Sequence, residues 1–336
     1  MKIAIVAIAG WIAATAPGLA QTQTPADRLE EIAQFFAGAD IVSGPSLVDC
    51  TLSGGTKTTC FQLTVTTDPQ TYTPGPWCPS NISQDESHGG IWLEDGEVHD
   101  VDGAFIANLA EFYGDTDWQL FDAQTGDINF TGTLASCEAA ARPDVDAAYN
   151  NYCVQCLPEY MPDDASVTYV IPLDPQPAAR ASQTGMSGSG IAYNGIRLDG
   201  PAPVDAILDA HTIAPFDDCG GHVNLHVGYH YHAVTTCLDA SPATTGPVSA
   251  DAAAEHGMQI GLAMDGYQIF SHLMGDGSDP ADLDACNGHQ ADNASYHYHA
   301  GEAGSNAILA CLMAEAGCVS EDADAACDAS ARPGRP

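Results

Sequence analysis

The residues of this 336-residue chain best suited to chemistry are histidines, and they recur in a fixed pattern. Cys219-Gly-Gly-His222 is followed, after six residues, by Tyr229-His230-Tyr231-His232-Ala233. Cys286-Asn-Gly-His289 is followed, after six residues, by Tyr296-His297-Tyr298-His299-Ala300, every matched position lying 67 residues further on. Alternating aromatic side chains favour an extended strand. In a strand, residues two apart share a face at about 6.6 Å, from a rise of ~3.3 Å per residue. His230 and His232 therefore point one way and Tyr229 and Tyr231 the other, and the same holds for His297/His299 against Tyr296/Tyr298. Imidazoles so placed can converge on one ion, because zinc–nitrogen bonds are only ~2.0–2.1 Å long.

The pattern predicts a transition-metal site, copper or zinc, with His230, His232, His297 and His299 as ligands and His222 and His289 in support. Iron also suits an all-imidazole set, and copper suits an oxidising envelope. Two arrangements stay open. Either four imidazoles from both copies line one shared site, or each copy holds its own ion with His222 or His289 as third ligand. Affinity is expected to fall as pH drops through about 6–6.5, because imidazole must be neutral to ligate. A simpler alternative is a metal-free interaction module whose strand histidines donate to backbone carbonyls. A catalytic alternative uses the same ion for hydrolysis or for oxygen chemistry, with Asp265 as base and Asn194 at the equivalent place in the first copy. The tyrosines are expected in the core.

Other candidates carry less. His256 and His211 precede the second apolar strand and the first Cys block, where they can be third ligands or plain loop histidines. Asp276, Asp279, Asp282 and Asp284 lack the order of an EF-hand loop and read as a solvated acidic loop. Met258, Met264 and Met274 suit core packing better than copper ligation. No serine-hydrolase elbow, zinc-protease helix, phosphate loop or dinucleotide fingerprint occurs.

The strands that must hold these histidines are duplicated as well. Ile191-Ala-Tyr-Asn194-Gly195-Ile-Arg-Leu198 matches Leu262-Ala-Met-Asp265-Gly266-Tyr-Gln-Ile269, so the repeated unit is a strand, a turn, a long loop and a His strand. Twelve cysteines, an even number, read as disulfides rather than zinc ligands if the chain is exported. Cys219–Cys237 and Cys286–Cys311 are expected at equivalent places in the repeat. Cys50 and Cys60 are expected opposite one another across a turn. Cys153 and Cys156 are expected in structural bridges involving Cys78 or Cys137, and Cys318 with Cys327 marks a small bridged or mobile tail.

Upstream, Thr24-Pro25 starts a helix that Gly38 ends, and Asp102–Tyr113 is helical with one apolar face. Ser136–Tyr152 is a weaker helical stretch broken at Pro143. Hairpins are expected at Cys50–Cys60, at Ile91–Val98 around Asp95-Gly96, and at Trp118–Phe121 against Asp127–Phe130. Pro172–Gly190 reads as a loop. The fold class is therefore mainly β with a few short helices, ending in a tandem-repeat, sandwich-like, disulfide-braced domain. The segments are a signal peptide at 1–20, a β-rich region at 21–165, the repeat domain at 166–315 and an acidic tail at 316–336.

Charge and leader narrow the class. Eight Lys and Arg against 45 Asp and Glu give a net charge of −37, which excludes nucleic acid and anionic membrane surfaces as partners. Lys2, the apolar run Ile3–Ala14 and the small residues Gly18 and Ala20 read as a secretory signal, with no lipid-bearing cysteine after it. No stretch is long enough for membrane insertion, so the expected location is secreted or periplasmic.

At these residues the chain resembles the YHYH proteins, secreted and envelope proteins named for the tetrapeptide. The resemblance rests on Asp218-Cys-Gly-Gly-His222, Gly228-Tyr-His-Tyr-His232-Ala, Leu283-Asp-Ala-Cys-Asn-Gly-His289, Tyr296-His-Tyr-His299-Ala and Ile260-Gly-Leu-Ala-Met-Asp265-Gly266, over roughly 165–315. It departs at Gln268, where proline is common, and at Ser271, where glycine is common. The resemblance implies export and metal binding through the histidines, and no particular reaction.

Overall fold

In this computed structural model the described residues are 23–70, 72–184, 188–239, 255–290 and 295–331. The expected signal peptide lies outside them. Thr24 caps the first helix, α1 (Pro25–Phe35), through a reciprocal capping box with Asp27, and Pro25 occupies the first turn where its missing N–H costs nothing. The chain continues through β1 (Ile41–Thr51), β2 (Lys57–Thr66), β3 (Ile91–Glu94) and β4 (Glu97–Asp100). Next come α2 (Gly103–Phe112), α3 (Leu134–Ala140), β5 (Ser166–Pro172) and β6 (Pro177–Gln183). The repeat comprises β7 (Gly190–Ala192), β8 (Arg197–Leu198), α4 (Val204–Leu208), β9 (Gly221–Asn224) and β10 (Gly228–Tyr231) in its first copy. The second copy supplies β11 (Gln259–Ala263), β12 (Gln268–Phe270), β13 (Gly288–His289) and β14 (His297–His299), and β15 (Cys311–Ala314) and β16 (Cys318–Ser320) close the chain. The fold is mainly β, as the sequence predicts.

Two sheets dominate. One has the order β1-β2-β5-β16, so strands from either side of residue 165 are hydrogen-bonded together. The other has eight strands in the order β13-β14-β12-β11-β7-β8-β10-β9. That order is a palindrome of the repeat: β7, β8, β10 and β9 answer β11, β12, β14 and β13. The two copies join where β7 runs antiparallel to β11, and Ile191 lies opposite Leu262. These two residues are repeat equivalents, so a local twofold axis passes through their pair. Within each copy the His strand runs parallel to the second strand of the hairpin, as β10 to β8 and β14 to β12. Parallel neighbours need a long crossover, which is why 29 residues separate β8 from β10 and 26 separate β12 from β14.

All six bridges form: Cys50–Cys60, Cys78–Cys153, Cys137–Cys156, Cys219–Cys237, Cys286–Cys311 and Cys318–Cys327. No free cysteine remains among the described residues, which removes sulfur from any metal site and fits an oxidising compartment. Among the described residues no helix is long and apolar enough to cross a membrane.

Three local expectations need correction. Cys50 and Cys60 are bonded but not directly opposed, since Cys50 faces Thr58 and Val48 faces Cys60. The turn therefore centres on Gly54, one residue before the midpoint of the two cysteines. The predicted loop 172–190 contains β6, which pairs with β15. Its side chains are nearly all exposed, so it has no apolar period to betray it. The Trp118–Phe130 hairpin shrinks to a single bridge between Phe121 and Ile128.

One apolar core takes side chains from both large sheets, Phe61, Leu63, Tyr169 and Ile171 from one and Ile191, Leu198, Tyr231, Ile260 and Tyr298 from the other. This is the sandwich-like arrangement. Ile191, fully buried on the twofold, is the residue whose loss is felt by both copies. Ile191→Ala is expected to lower unfolding stability by about 2–5 kcal/mol, measured as a shift of the urea midpoint at unchanged slope.

Candidate metal centres

The Cys-x-Gly-His motif is a seat for the first tyrosine of each His strand. A Cβ on Gly221 would come within 2.4 Å of the Tyr229 ring, and one on Gly288 within 2.0 Å of the Tyr296 hydroxyl. The preceding position is left-handed in both copies, at Gly220 (φ 79°) and Asn287 (φ 62°), which only Gly and Asn adopt readily. A carboxylate organises the turn. Asp217 Oδ1 accepts from the backbone of Cys219 and Gly221 at 3.1 Å, and Tyr229 donates to both its oxygens at 2.8 and 2.9 Å. Asp284 repeats this with Cys286, Gly288 and Tyr296.

The second tyrosine reaches the other way. Tyr231 accepts from Asn194 Nδ2 at 2.9 Å, and Tyr298 donates to Asp265 Oδ2 at 2.7 Å. Both partners sit in the tight hairpin turns whose glycines, Gly195 (φ 85°) and Gly266 (φ 90°), are also left-handed. Asp265 is completely buried and hydrogen-bonded within this scaffold, so it belongs to the tyrosine face and not to the imidazole face. That removes it as a base for chemistry at the histidines.

The opposite face of each strand carries the imidazoles. In the first copy His222 lies directly across from His230, and the ring centroids of His222, His230 and His232 form a near-equilateral triangle of 4.7, 4.9 and 5.0 Å. In the second copy His289 lies across from His297, with centroids of His289, His297 and His299 at 4.6, 5.2 and 5.4 Å. His256 joins this second group, its ring 4.4 Å from that of His297. Within each group one ligand nitrogen per residue lies within 4.8 Å of all the others.

The shared-site arrangement is overturned. The His strands β10 and β14 are five strands apart, roughly 24 Å along the sheet at ~4.8 Å per step. The twofold carries the two pairs to opposite ends of the sheet because the copies join through their hairpins. His230 and His232 meet His222, and His297 and His299 meet His289, each copy by itself.

Hydrogen bonds fix the tautomers. His230 Nδ1 donates to the Gly228 carbonyl at 3.0 Å and His297 Nδ1 to that of Ser295 at 3.0 Å. His232 Nδ1 donates to Gly200 at 2.7 Å and His299 Nδ1 to Ser271 at 2.9 Å, an equivalent pair again. His289 Nδ1 donates to Ala281 at 3.1 Å. A carbonyl only accepts, so in a neutral ring the proton is on Nδ1 and the Nε2 lone pair faces the cluster. This is how metal-ligating histidines are usually held. Two of those lone pairs oppose each other, His289 Nε2 and His297 Nε2 being 3.0 Å apart, and the buried Nε2 of His299 has no hydrogen-bond partner.

The electrostatics keep the rings neutral. Burial, then repulsion from neighbouring imidazoles, holds His222 and His230 well below the usual histidine range, and burial lowers His232 and His256. Burial brings His297 and His299 down to about 4. This moves the expected transition below pH 6–6.5, the range of an ordinary imidazole, because desolvation of the buried rings disfavours their charged form. Burial also pushes Asp217 up to about 6 against its donated hydrogen bonds.

Sequence reasoning left several contributors unresolved. His256 was open between ligand and loop residue, and the structure places it in the second cluster. His211 instead bonds Asp115 Oδ2 at 2.9 Å, away from both clusters. Asp199 was missed: its Oδ2 lies 3.8 Å from His230 Nε2. Asp217 and Asp284 could have been found, because they are a further pair at the 67-residue offset. Met264 is in the core, as expected.

A disulfide-braced β protein with two imidazole clusters on a duplicated scaffold is thus the class that fold and site define. Residues 168–282, about a third of the chain, match the family described as YHYH protein, which supports the YHYH resemblance over that segment. The match contains the whole first cluster and ends before His289. No curated protein and no solved structure matches the chain.

The lowered values set a direction for acid stability. Unfolded histidine protonates near 6.5, whereas folded His297 and His299 resist protonation to about 4. Between those values the unfolded chain binds more protons, so the contribution of these rings to stability is full above about 6.5 and is lost as pH falls toward 4. Asp217 acts with the opposite sign between about 6 and 3.8. The histidine part is isolated by comparison with His297→Gln/His299→Gln. In chelator, the urea midpoint of the parent should fall more steeply with acid than that of the variant, and equal slopes would refute the assignment.

Proposed function

We propose that this protein binds a transition metal, zinc or copper, at two separate centres, one per repeat copy. The first uses His222, His230 and His232, the second His289, His297, His299 and His256. The observation that carries the reading is the 3.0 Å approach of His289 Nε2 to His297 Nε2. Each ring gives its Nδ1 proton to a carbonyl, and His297 is neutral near neutral pH. Two nitrogens aimed at each other in this way share a cation, and the further unpartnered acceptor beside them, His299 Nε2, suits a metal ion better than a single proton. Ligand nitrogens in a tetrahedral site with ~2.0–2.1 Å bonds are about 3.3 Å apart, close to the spacing the strands already impose.

Only imidazole is on offer, since every described cysteine is bridged, and imidazole suits zinc and copper equally. Bridges Cys219–Cys237 and Cys286–Cys311 anchor the loop ahead of each cluster. The scaffold thereby holds the rings in place before the ion arrives. The disulfides also support a working location outside the reducing cytosol.

Metal analysis tests this on protein made with its disulfides in an oxidising host. Two equivalents of zinc or copper are expected at pH 7.5. His230→Gln/His232→Gln should lose one and His297→Gln/His299→Gln the other, with chelator lowering the melting temperature of the parent most and that of each double variant, which keeps one ion, by less. Metal content near zero after incubation with either ion, or content unaffected by both double variants, would overturn the reading.

A further inference from the structure

The two clusters share a scaffold and each packs against a phenyl ring, Phe216 at 4.8 Å from His222 and Phe270 at 5.0 Å from His297, but the rest of their surroundings differ. The second cluster has a fourth imidazole from His256, whose ring contacts those of His289, His297 and His299. Four protein ligands are the mark of a closed, structural site. The first cluster has three, the number that leaves a coordination position for something else.

A cavity of about 400 Å³ adjoins the first cluster, and His222, His230 and His232 all line it. It extends to Arg142 and Pro143, both exposed, so it communicates with solvent. Its volume is within the range of small-molecule pockets, ~300–1,000 Å³. Trp77, Val154, Ala206, Ile207, Ala214 and Val223 give it a mainly apolar wall.

The strand position beside the rings also differs. In the second copy it is Phe270, whose ring packs 5.0 Å from that of His297. In the first copy the equivalent residue is Asp199, which also lines the cavity. Its Oδ1 accepts from Arg197 Nη2 at 3.1 Å and from the Gly200 backbone at 2.9 Å. Its Oδ2 lies on the cluster side, 3.8 Å from His230 Nε2. Asp199 does not join the group of mutually close ligand atoms, so it stands beside the open position rather than filling it.

We infer that the first cluster is a ligand-binding centre for a small molecule with an apolar body and one protic oxygen head, such as a hydroxamic acid, alcohol or phenol. This rests on the metal reading above. The head coordinates the ion at the open position and donates its proton to Asp199 Oδ2, while the body occupies the apolar cavity. A carboxylate head is disfavoured because it would place a second anion against Asp199. The second cluster, closed by His256 and covered by Phe270, holds its ion without exchange.

Cobalt(II) is the reporter, since its visible spectrum follows coordination, and benzohydroxamic acid and benzoate are the probes. With two cobalt ions bound, benzohydroxamic acid should alter the absorption of one. The change should persist in His297→Gln/His299→Gln and vanish in His230→Gln/His232→Gln. Ala206→Phe, which fills the cavity, should weaken the probe roughly tenfold or more, ~1.4 kcal/mol, while cobalt content stays at two. Asp199→Asn should narrow the preference for benzohydroxamic acid over benzoate by a similar factor. Two bound cobalt ions with a spectrum indifferent to the probe, or a change that follows the second cluster, would overturn the inference and leave the metal reading intact. A protein that takes up no cobalt shows no spectrum before any probe is added; that result removes the metal reading and this inference with it.

Discussion

Backbone carbonyl oxygens can accept hydrogen bonds and cannot donate them, and in this protein five of them face histidine Nδ1 atoms. That one-way chemistry decides what each cluster presents. With Nδ1 committed to donation, and with burial keeping His230, His232, His297 and His299 uncharged, their Nε2 lone pairs are what remain to face inward. The strand geometry then brings those lone pairs together, because His222 and His289 stand across from the first histidine of each pair. Neutral imidazoles that all accept toward a common centre repel one another weakly and attract any cation strongly. The tyrosines secure the arrangement from behind. Each is tied at its hydroxyl to a side chain of the turns that define its copy, buried at Asn194, Asp217 and Asp265 and exposed at Asp284, which resists rotation of the strands to relieve the crowding in front.

How much of this could be seen in the sequence follows from the range of the forces involved. The face assignment of His230/His232 and His297/His299 was legible because strand periodicity is local, and duplication supplied a second copy of the same signal. The bridges Cys219–Cys237 and Cys286–Cys311 were legible for the same reason. The separation of the clusters was not, because strand order depends on which free edge pairs with which. Hairpin edges Ile191 and Leu262 and the His strands are all apolar or aromatic and all competent to pair. Only the assembled sheet decides that the hairpins meet at the twofold and the His strands go to its flanks. Strand β6 escaped for a related reason: its one partner is β15, far along the chain, and its exposed side chains carry no pattern. The lowered protonation range of the rings was not legible because the ordinary histidine value holds for a solvated ring, whereas desolvation depends on burial that only the assembled sheet decides.

What duplication kept and what it changed divide along the two faces of the strands. On the tyrosine face nearly every interaction has its counterpart: Asp217 with Asp284, Tyr229 with Tyr296, Asn194 with Asp265, Gly221 with Gly288. On the imidazole face the three histidines are retained, and so are the carbonyls that orient the two on each His strand, even though Gly200 in one copy is Ser271 in the other. A carbonyl is supplied by any residue, so the departure from the usual glycine at Ser271 leaves the histidine bond unaltered. The neighbours of the imidazoles are not retained. Asp199 answers Phe270, and His256 enters only the second cluster. Packing alone would relax the histidines as readily as their neighbours, since a small apolar side chain could fill the same volume without the desolvation of an imidazole. Keeping three converging rings and the tautomers of the His-strand pair in both copies, while exchanging a carboxylate for a phenyl ring beside them, is the pattern of one inner arrangement adapted to two different surroundings.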